Sequence, residues 1–406
     1  MEKIVVTGLA VISAQGNNIN DFWQNIVAVK SGIKRIARFD PSEYRTQIAA
    51  ELQTDMSELL GYSVSNHSLN TQFALACADQ LVSDAKLTDS DDLDKSRIGI
   101  CLGTGLGGMY YAEEGLTKLL QQGPSRVNPM CVSYVEPNSI VNQIAIKWGF
   151  VGQQQTVSTA CSSSANAIGI AMDMIRSGRV DAVLTGGVEA TVQPLMVAGF
   201  DRLRAMSPNN NDPENACRPF AIDRDGFVLG EGAAMLFLEK ESSAKARGAK
   251  IYAELAGFGS TGGGFHAVMP VPDGSDSARS MQEALRDAGA SIEDIHLINP
   301  HGTGTKLNDA AEYKAMQQIF GNHLDNIYIA PTKQLTGHLL GAAGAIEAVH
   351  IVKSLAENIV TPFNKFNEEF KLNINFGKPI RKPLRCALSN SFGFGNNNAS
   401  LVFRSL

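Results

Sequence analysis

Short apolar runs bounded by glycine alternate with stretches of helical spacing along almost the whole chain, and no other feature limits the fold as much. Runs at 3–7, 97–102, 156–159, 180–185, 295–299, 327–330 and 384–389 read as strands, with helix signals between them. Elements alternating in this way bury their apolar faces as α/β layers. The clearest helix follows Ser158: Ala165, Ile168, Met172 and Ile175 fall at helical spacing, Arg176 sits in the last turn and Gly178 is the stop. A second spans about 341–357 and opens with Gly341-Ala-Ala-Gly344, small enough for close packing.

The chain echoes itself. Gly103-Thr-Gly105 follows one strand as Gly302-Thr-Gly304 follows another, and a Gly/Ala/Ser-rich strand-to-helix junction comes after each, at 158–169 and 336–347. With 406 residues, more than one core holds comfortably, the reading is a pseudo-duplicated α/β architecture. A strand beginning near Lys250 sets the seam between one half over residues 1–250 and another over 251–406. The runs 261–264 and 89–94 read as flexible surface loops.

Composition excludes several function classes. A net charge of −6 offers no general attraction to phosphate backbones or anionic lipid, so nucleic acid and membrane surfaces are not expected partners. The six cysteines are widely spaced with no C-x-x-C pair, which reads as reduced thiols and argues against a disulfide frame or a metal site. With no signal-like start and no apolar segment of spanning length, a cytoplasmic location is expected.

Chemistry concentrates at three places. In Ser158-Thr-Ala-Cys161-Ser-Ser-Ser-Ala165 a cysteine stands where a strand ends and a helix begins. Free N–H groups and the helix dipole there favour an anion, which predicts a ready thiolate and donors for a developing oxyanion. A buried cysteine can also simply fill space. Two histidines in glycine-rich loops after strands turn the reading toward chemistry: His301 in Asn299-Pro-His-Gly-Thr-Gly-Thr305, and His338 in the run from Pro331 to Gly344. His67, His266, His296, His323 and His350 lack such a setting and are assigned no role.

At this point the pattern resembles the β-ketoacyl-acyl-carrier-protein synthases, the elongating condensing enzymes of fatty-acid and polyketide assembly, on the thiolase-like α-β-α-β-α layered fold. The resemblance runs end to end. It rests on Val5-Val-Thr-Gly8, Thr159-Ala-Cys-Ser-Ser163, Thr185-Gly-Gly-Val-Glu189 and Arg218-Pro-Phe followed by Asp223 to Gly232. It continues through His301-Gly-Thr-Gly-Thr305, Lys333 to Gly344 and Asn390-Ser-Phe-Gly-Phe-Gly395.

By that resemblance Cys161 takes an acyl group from a carrier thioester, while His301 and His338 promote malonyl decarboxylation and stabilise the enolate. The N–H groups of Cys161 and Phe394 form the oxyanion hole, and the Phe394 ring gates the acyl pocket. Lys333 orders the histidines electrostatically and Glu312 holds their region together. Leu106 and Met109 are candidate acyl-pocket walls, although a plain core role fits them as well. The resemblance implies no cofactor, and implies acyl- and malonyl-loaded carrier proteins and a second subunit, either a copy of this chain or a chain-length-factor-like one.

Three stretches depart from the common family pattern. Asn396 stands where many members have glycine, and hydroxyl residues that would meet the carrier arm are replaced in His266-Ala-Val-Met-Pro270. Residues 64–71, which often carry basic residues, are uncharged here, leaving Lys118 and Arg126 as nearby substitutes and favouring a specialised polyketide or polyene pathway over housekeeping fatty-acid elongation.

Other readings are weaker. Residues 103–108 satisfy G-x-G-x-x-G, the pattern of an NAD(P)-dependent oxidoreductase, but lie outside the first strand–helix turn and lack the acidic residue on the next strand. A degradative thiolase resembles a two-cysteine plan, whereas Cys386 is followed by Ala387-Leu388. A silent chain-length subunit would not retain Cys161, His301 and His338.

Overall fold

A computed structural model describes residues 2–88 and 93–406. Its centre is an eleven-stranded sheet made of β1 (Ile4–Ser13), β2 (Ile98–Gly103), β3 (Gln154–Val157), β4 (Ala182–Glu189), β5 (Gly232–Lys240), β6 (Ala253–Gly262), β7 (Leu297–Asn299), β8 (Tyr328–Ile329), β9 (Asn373–Ile374), β10 (Cys386–Gly393) and β11 (Asn397–Arg404). The spatial order is β9-β8-β7-β10-β11-β6-β1-β5-β4-β2-β3.

The order divides into two copies of one plan. In the first, β1 pairs antiparallel with β5, β5 antiparallel with β4, then β2 and β3 follow in parallel. In the second, β6 pairs antiparallel with β11, β11 antiparallel with β10, then β7 and β8 follow in parallel. Within the sheet, among the described residues, only Ile4, Val5 and Val6, opposite Leu255, Glu254 and Ala253, join the two.

Helices complete the layers. Helix α1 (Leu69–Asp84) packs on β1 and β5, while α3 (Ser163–Arg176) and α6 (Ala343–Glu357) pack against each other and against strands of both copies. Helix α4 (Ser275–Ala288) covers β6 and β11, and α5 (Lys306–Phe320) packs against α4. Helix α2 (Met109–Gln122) follows β2. The central helices are buried on nearly every face, and on α6 Ala343 through Leu355 are all buried. No helix among the described residues is long and apolar enough to cross a membrane.

Glycine sets how closely these central helices approach. A Cβ on Gly344 would lie 2.8 Å from the Ala165 Cβ and 2.9 Å from its nitrogen, so α6 enters against the backbone of α3. A Cβ on Gly103 would lie 2.3 Å from the Ser164 nitrogen, so the end of β2 touches the same helix start.

Two expected loops change. Of the run 89–94, residues 89–92 lie outside the described residues, and Asp94 caps the turn Lys95–Arg97 by accepting the Ser96 N–H. Thr261 and Gly262 end β6, paired with Asn398 and Asn397, because β11 offers them backbone partners that composition alone does not reveal. Gly344→Val is expected to lower stability by about 1–3 kcal/mol through overpacking, read as a lower denaturant midpoint at unchanged slope.

Candidate active site

Cys161 stands two residues before α3, after Ala160, whose φ of 53° is left-handed and turns the chain sharply out of the strand. Leu340, two residues after His338, shares this conformation at φ 43°. The His338 backbone is fixed by the opposite half: its N–H donates to the Val228 carbonyl at 2.7 Å and its carbonyl accepts the Gly230 N–H at 2.9 Å. The motif from Asp223 to Gly232 therefore acts as a rail for His338.

His301 is held through its backbone. The Glu312 carboxylate accepts the N–H groups of His301 at 2.7 Å and Gly302 at 2.8 Å, while Asp309 accepts those of Thr303 and Gly304. Lys333 Nζ donates to the His301 carbonyl at 2.6 Å, lies 3.4 Å from its Nδ1 and pairs with the buried Glu347.

These constraints bring three side chains together. One sulfur or nitrogen atom from each of Cys161, His301 and His338 lies within 4.8 Å of the others, and all three residues are buried. The imidazoles meet edge to face at 5.4 Å, with Phe227 against His338 and Phe392 against His301. Sulfur and two nitrogens form the one donor set among the described residues that could hold a metal, but the Lys333 ammonium opposes a cation there.

Burial governs protonation. It pushes the Cys161 thiol up to about 12, against the opposing pull of Lys333 and of the N–H groups of Phe394 and Cys161. The expected ready thiolate is thus replaced by a resting thiol, because desolvation outweighs the helix mouth. Burial also drives both imidazoles well below their ordinary 6.5, and the Lys333 charge adds to this. Both are neutral at pH 7. Glu312 is pushed up to about 7 by the same burial, against the pull of the N–H groups it accepts.

The group opens into a cavity of about 670 Å³. Leu106, Phe200 and Leu340 line it, as do Val268, Met269, Leu307 and Phe394. Phe394 is 36% exposed. Met109 is absent from the lining, because the left-handed Gly107 turns the chain against Pro137 and starts α2. Lys118 and Arg126 are exposed, as are Ser65 and Asn66 of the uncharged stretch.

Several contributors escaped sequence reasoning. Glu347, an acid between Ile346 and Ala348 in a helix buried on every side, was a readable demand for a buried partner. His266, assigned no role, lines the cavity. Glu189 accepts the N–H groups of Gly105 at 2.6 Å, Leu106 at 3.1 Å and Gly341 at 2.9 Å. That finding also removes the dinucleotide alternative. Glu189 occupies two amides of the 103–108 loop, while the Gly107 and Gly108 amides bond to Thr104 and Val135, so none is left to cradle a phosphate.

Comparison with known proteins agrees with this geometry. Residues 1–244 match the family described as Beta-ketoacyl synthase, N-terminal domain, and residues 252–367 match Beta-ketoacyl synthase, C-terminal domain. The chain is 40% identical over 408 residues to the 3-oxoacyl-[acyl-carrier-protein] synthase 2 of Synechocystis sp. (strain ATCC 27184 / PCC 6803 / Kazusa), covering 99% of this chain and 98% of that one. It is similar to a structure of a type II PKS acyl-carrier protein in complex with its ketosynthase bound to the hexaketide, at 31% identity and TM-score 0.92, with both chains covered completely. A structure of the ishigamide ketosynthase/chain length factor is similar at 30% identity and TM-score 0.92, covering 100% of this chain and 99% of that one.

A thiol resting near 12 makes a checkable statement. Alkylation of Cys161 by iodoacetamide is expected to accelerate about tenfold per pH unit between about pH 7 and pH 10 without levelling, followed by mass spectrometry of the labelled peptide.

Proposed function

The chain belongs to the beta-ketoacyl synthase family, and from that premise we propose that Cys161, His301 and His338 carry out its decarboxylative condensation. It is an acyltransferase of the 3-oxoacyl-[acyl-carrier-protein] synthase class. The observation that carries the residue assignment is the meeting of one thiol and two neutral imidazoles in a largely apolar cavity.

In the first half-reaction the Cys161 sulfur attacks the carbonyl carbon of an acyl-carrier thioester. A thiol near 12 must lose its proton as it attacks, and a neutral imidazole within 4.8 Å is the acceptor at hand. The carbon–sulfur bond to the carrier breaks, and the departing sulfur leaves with a proton. The N–H groups of Cys161 and Phe394 stabilise the transient oxyanion.

In the second, a malonyl-carrier thioester loses its carboxylate as carbon dioxide, and the electron pair of the broken carbon–carbon bond remains as an enolate. His301 and His338 donate N–H to the enolate oxygen without bringing charge into the pocket. The enolate carbon then attacks the Cys161 thioester, the sulfur leaves and one proton is consumed to restore the thiol. Lys333 and Glu312 act through position: they orient His301, and the Lys333 charge adds to the burial that keeps both imidazoles unprotonated.

The proposed partners are acyl- and malonyl-loaded carrier proteins and a second subunit, a copy of this chain or a chain-length-factor-like one, in the cytoplasm. Leu106 is proposed as an acyl-pocket wall, since it lines the cavity. The uncharged stretch 64–71 supports a specialised polyketide or polyene pathway, with Lys118 and Arg126 as the exposed cations nearest in kind to a docking surface. The 40% identity to the Synechocystis enzyme favours a second reading, housekeeping fatty-acid elongation by a homodimer. Elongation at an ordinary rate with a standard fatty-acid carrier decides for the second.

Cys161→Ala is expected to abolish acyl loading, followed by intact-protein mass spectrometry. His301→Ala and His338→Ala are expected to keep loading while condensation falls by about 10²–10⁴-fold. Loading that persists in Cys161→Ala would assign the nucleophile elsewhere.

A further inference from the structure

The turn that carries Phe394 is tied to the loop across the cavity mouth by one side chain. Asn396 is buried, with a left-handed backbone at φ 58°, a conformation asparagine accepts more readily than most residues. Its Nδ2 donates to the Met269 carbonyl at 3.0 Å, and its Oδ1 accepts the His266 N–H at 3.3 Å. Two main-chain bonds accompany these: the Gly395 N–H to the Ala267 carbonyl at 2.8 Å, and the Gly263 N–H to the Asn396 carbonyl at 2.9 Å.

Each of the tied segments has its own anchor. The His266 Nδ1 accepts the N–H groups of Val268 at 3.1 Å and Met269 at 3.2 Å, shaping the loop that Asn396 grips. Beyond the turn, Asn398 Nδ2 donates to Asp276 at 3.1 Å, fixing the strand from which the turn springs. Both segments line the cavity, as does Cys161, and a Cβ on Gly393, next to Phe394, would lie 3.2 Å from the Cys161 nitrogen, so the turn sits directly against the cysteine.

We propose that Asn396 is a positioning residue, a latch that makes the Phe394 turn and the 263–270 loop move as one body and so keeps that turn seated beside Cys161. This rests on the reading of Cys161 as the acylated group. Delivery of an acyl chain past Phe394 needs the turn to yield, whereas attack on the Cys161 thioester needs the Phe394 amide in place. A glycine at 396 has the same backbone freedom but neither side-chain bond, leaving the turn free to part from the loop. Unlatching therefore favours the first half-reaction over the second.

Asn396→Gly and Asn396→Asp test this in the full-length protein. Aspartate keeps an acceptor for the His266 N–H but turns a carboxylate oxygen toward the Met269 carbonyl. In the free protein, Asn396→Gly is expected to speed amide hydrogen exchange at 264–269 and 393–396 at least about tenfold while leaving the central helices unchanged. In single-turnover assays it leaves acyl loading of Cys161 equal or faster while condensation falls at least about fivefold, with Asn396→Asp between it and the parent. Unchanged exchange at these segments, or an equal loss in both half-reactions, would overturn the latch. The exchange measurement uses no substrate, so its outcome is independent of which residue is acylated.

Discussion

The carboxylate of Glu189 accepts the N–H groups of Gly105 and Leu106 from one half of the chain and of Gly341 from the other. This group ties the two halves together beside the site. Glu189 is buried without a cation, and burial pushes it up to about 7 against the pull of the amides it accepts. Such an acid is tolerated because the amides it satisfies would otherwise be buried and unpaired, at a cost of about 1–3 kcal/mol each. Glu312 does the same for His301 and Gly302. The two glycine loops that echo each other are thus each held by a carboxylate on backbone N–H groups, and their positions bring a thiol from one half to two imidazoles from the other.

The same dryness sets the chemistry. Desolvation keeps Cys161 a thiol and His301 and His338 neutral, and the Lys333 charge reinforces the neutrality of the imidazoles. Lys333 can stand there because Glu347 pairs with it. Removing either partner would strand a buried charge, typically a loss of about 3–5 kcal/mol. A neutral imidazole can take a proton from an attacking thiol and can also donate N–H to an enolate. One arrangement can thereby serve both halves of the proposed reaction, and a solvated site would blur it by protonating the rings.

The alternation of strand and helix, the two junctions and the Cys161, His301 and His338 set were legible in the sequence because each has a local signature: periodicity, a glycine stop, a histidine in a glycine loop. What was not legible depends on distant partners. Strand β5, Gly232–Lys240, is apolar without a break from Gly232 to Leu238, so periodicity cannot separate it from a helix; its pairing with β1 and β4 makes it a strand. The resting state of Cys161 follows from burial by residues far along the chain, so a junction that locally favours an anion still holds a thiol. Met109, next to the glycine loop, is absent from the lining of the cavity onto which Cys161 opens, whereas Leu106 lines it. His266 and Asn396 become meaningful once the mouth loop and the final turn are seen to touch.

The central claim is that the two imidazoles remain neutral because they are buried beside an ammonium group. A ¹⁵N-histidine NMR titration of the intact protein, with signals assigned through single His301→Gln and His338→Gln variants, tests it most directly. The account predicts that both rings stay unprotonated as the pH falls through 6.5 and well below it. Protonation of either ring near 6.5 would contradict it.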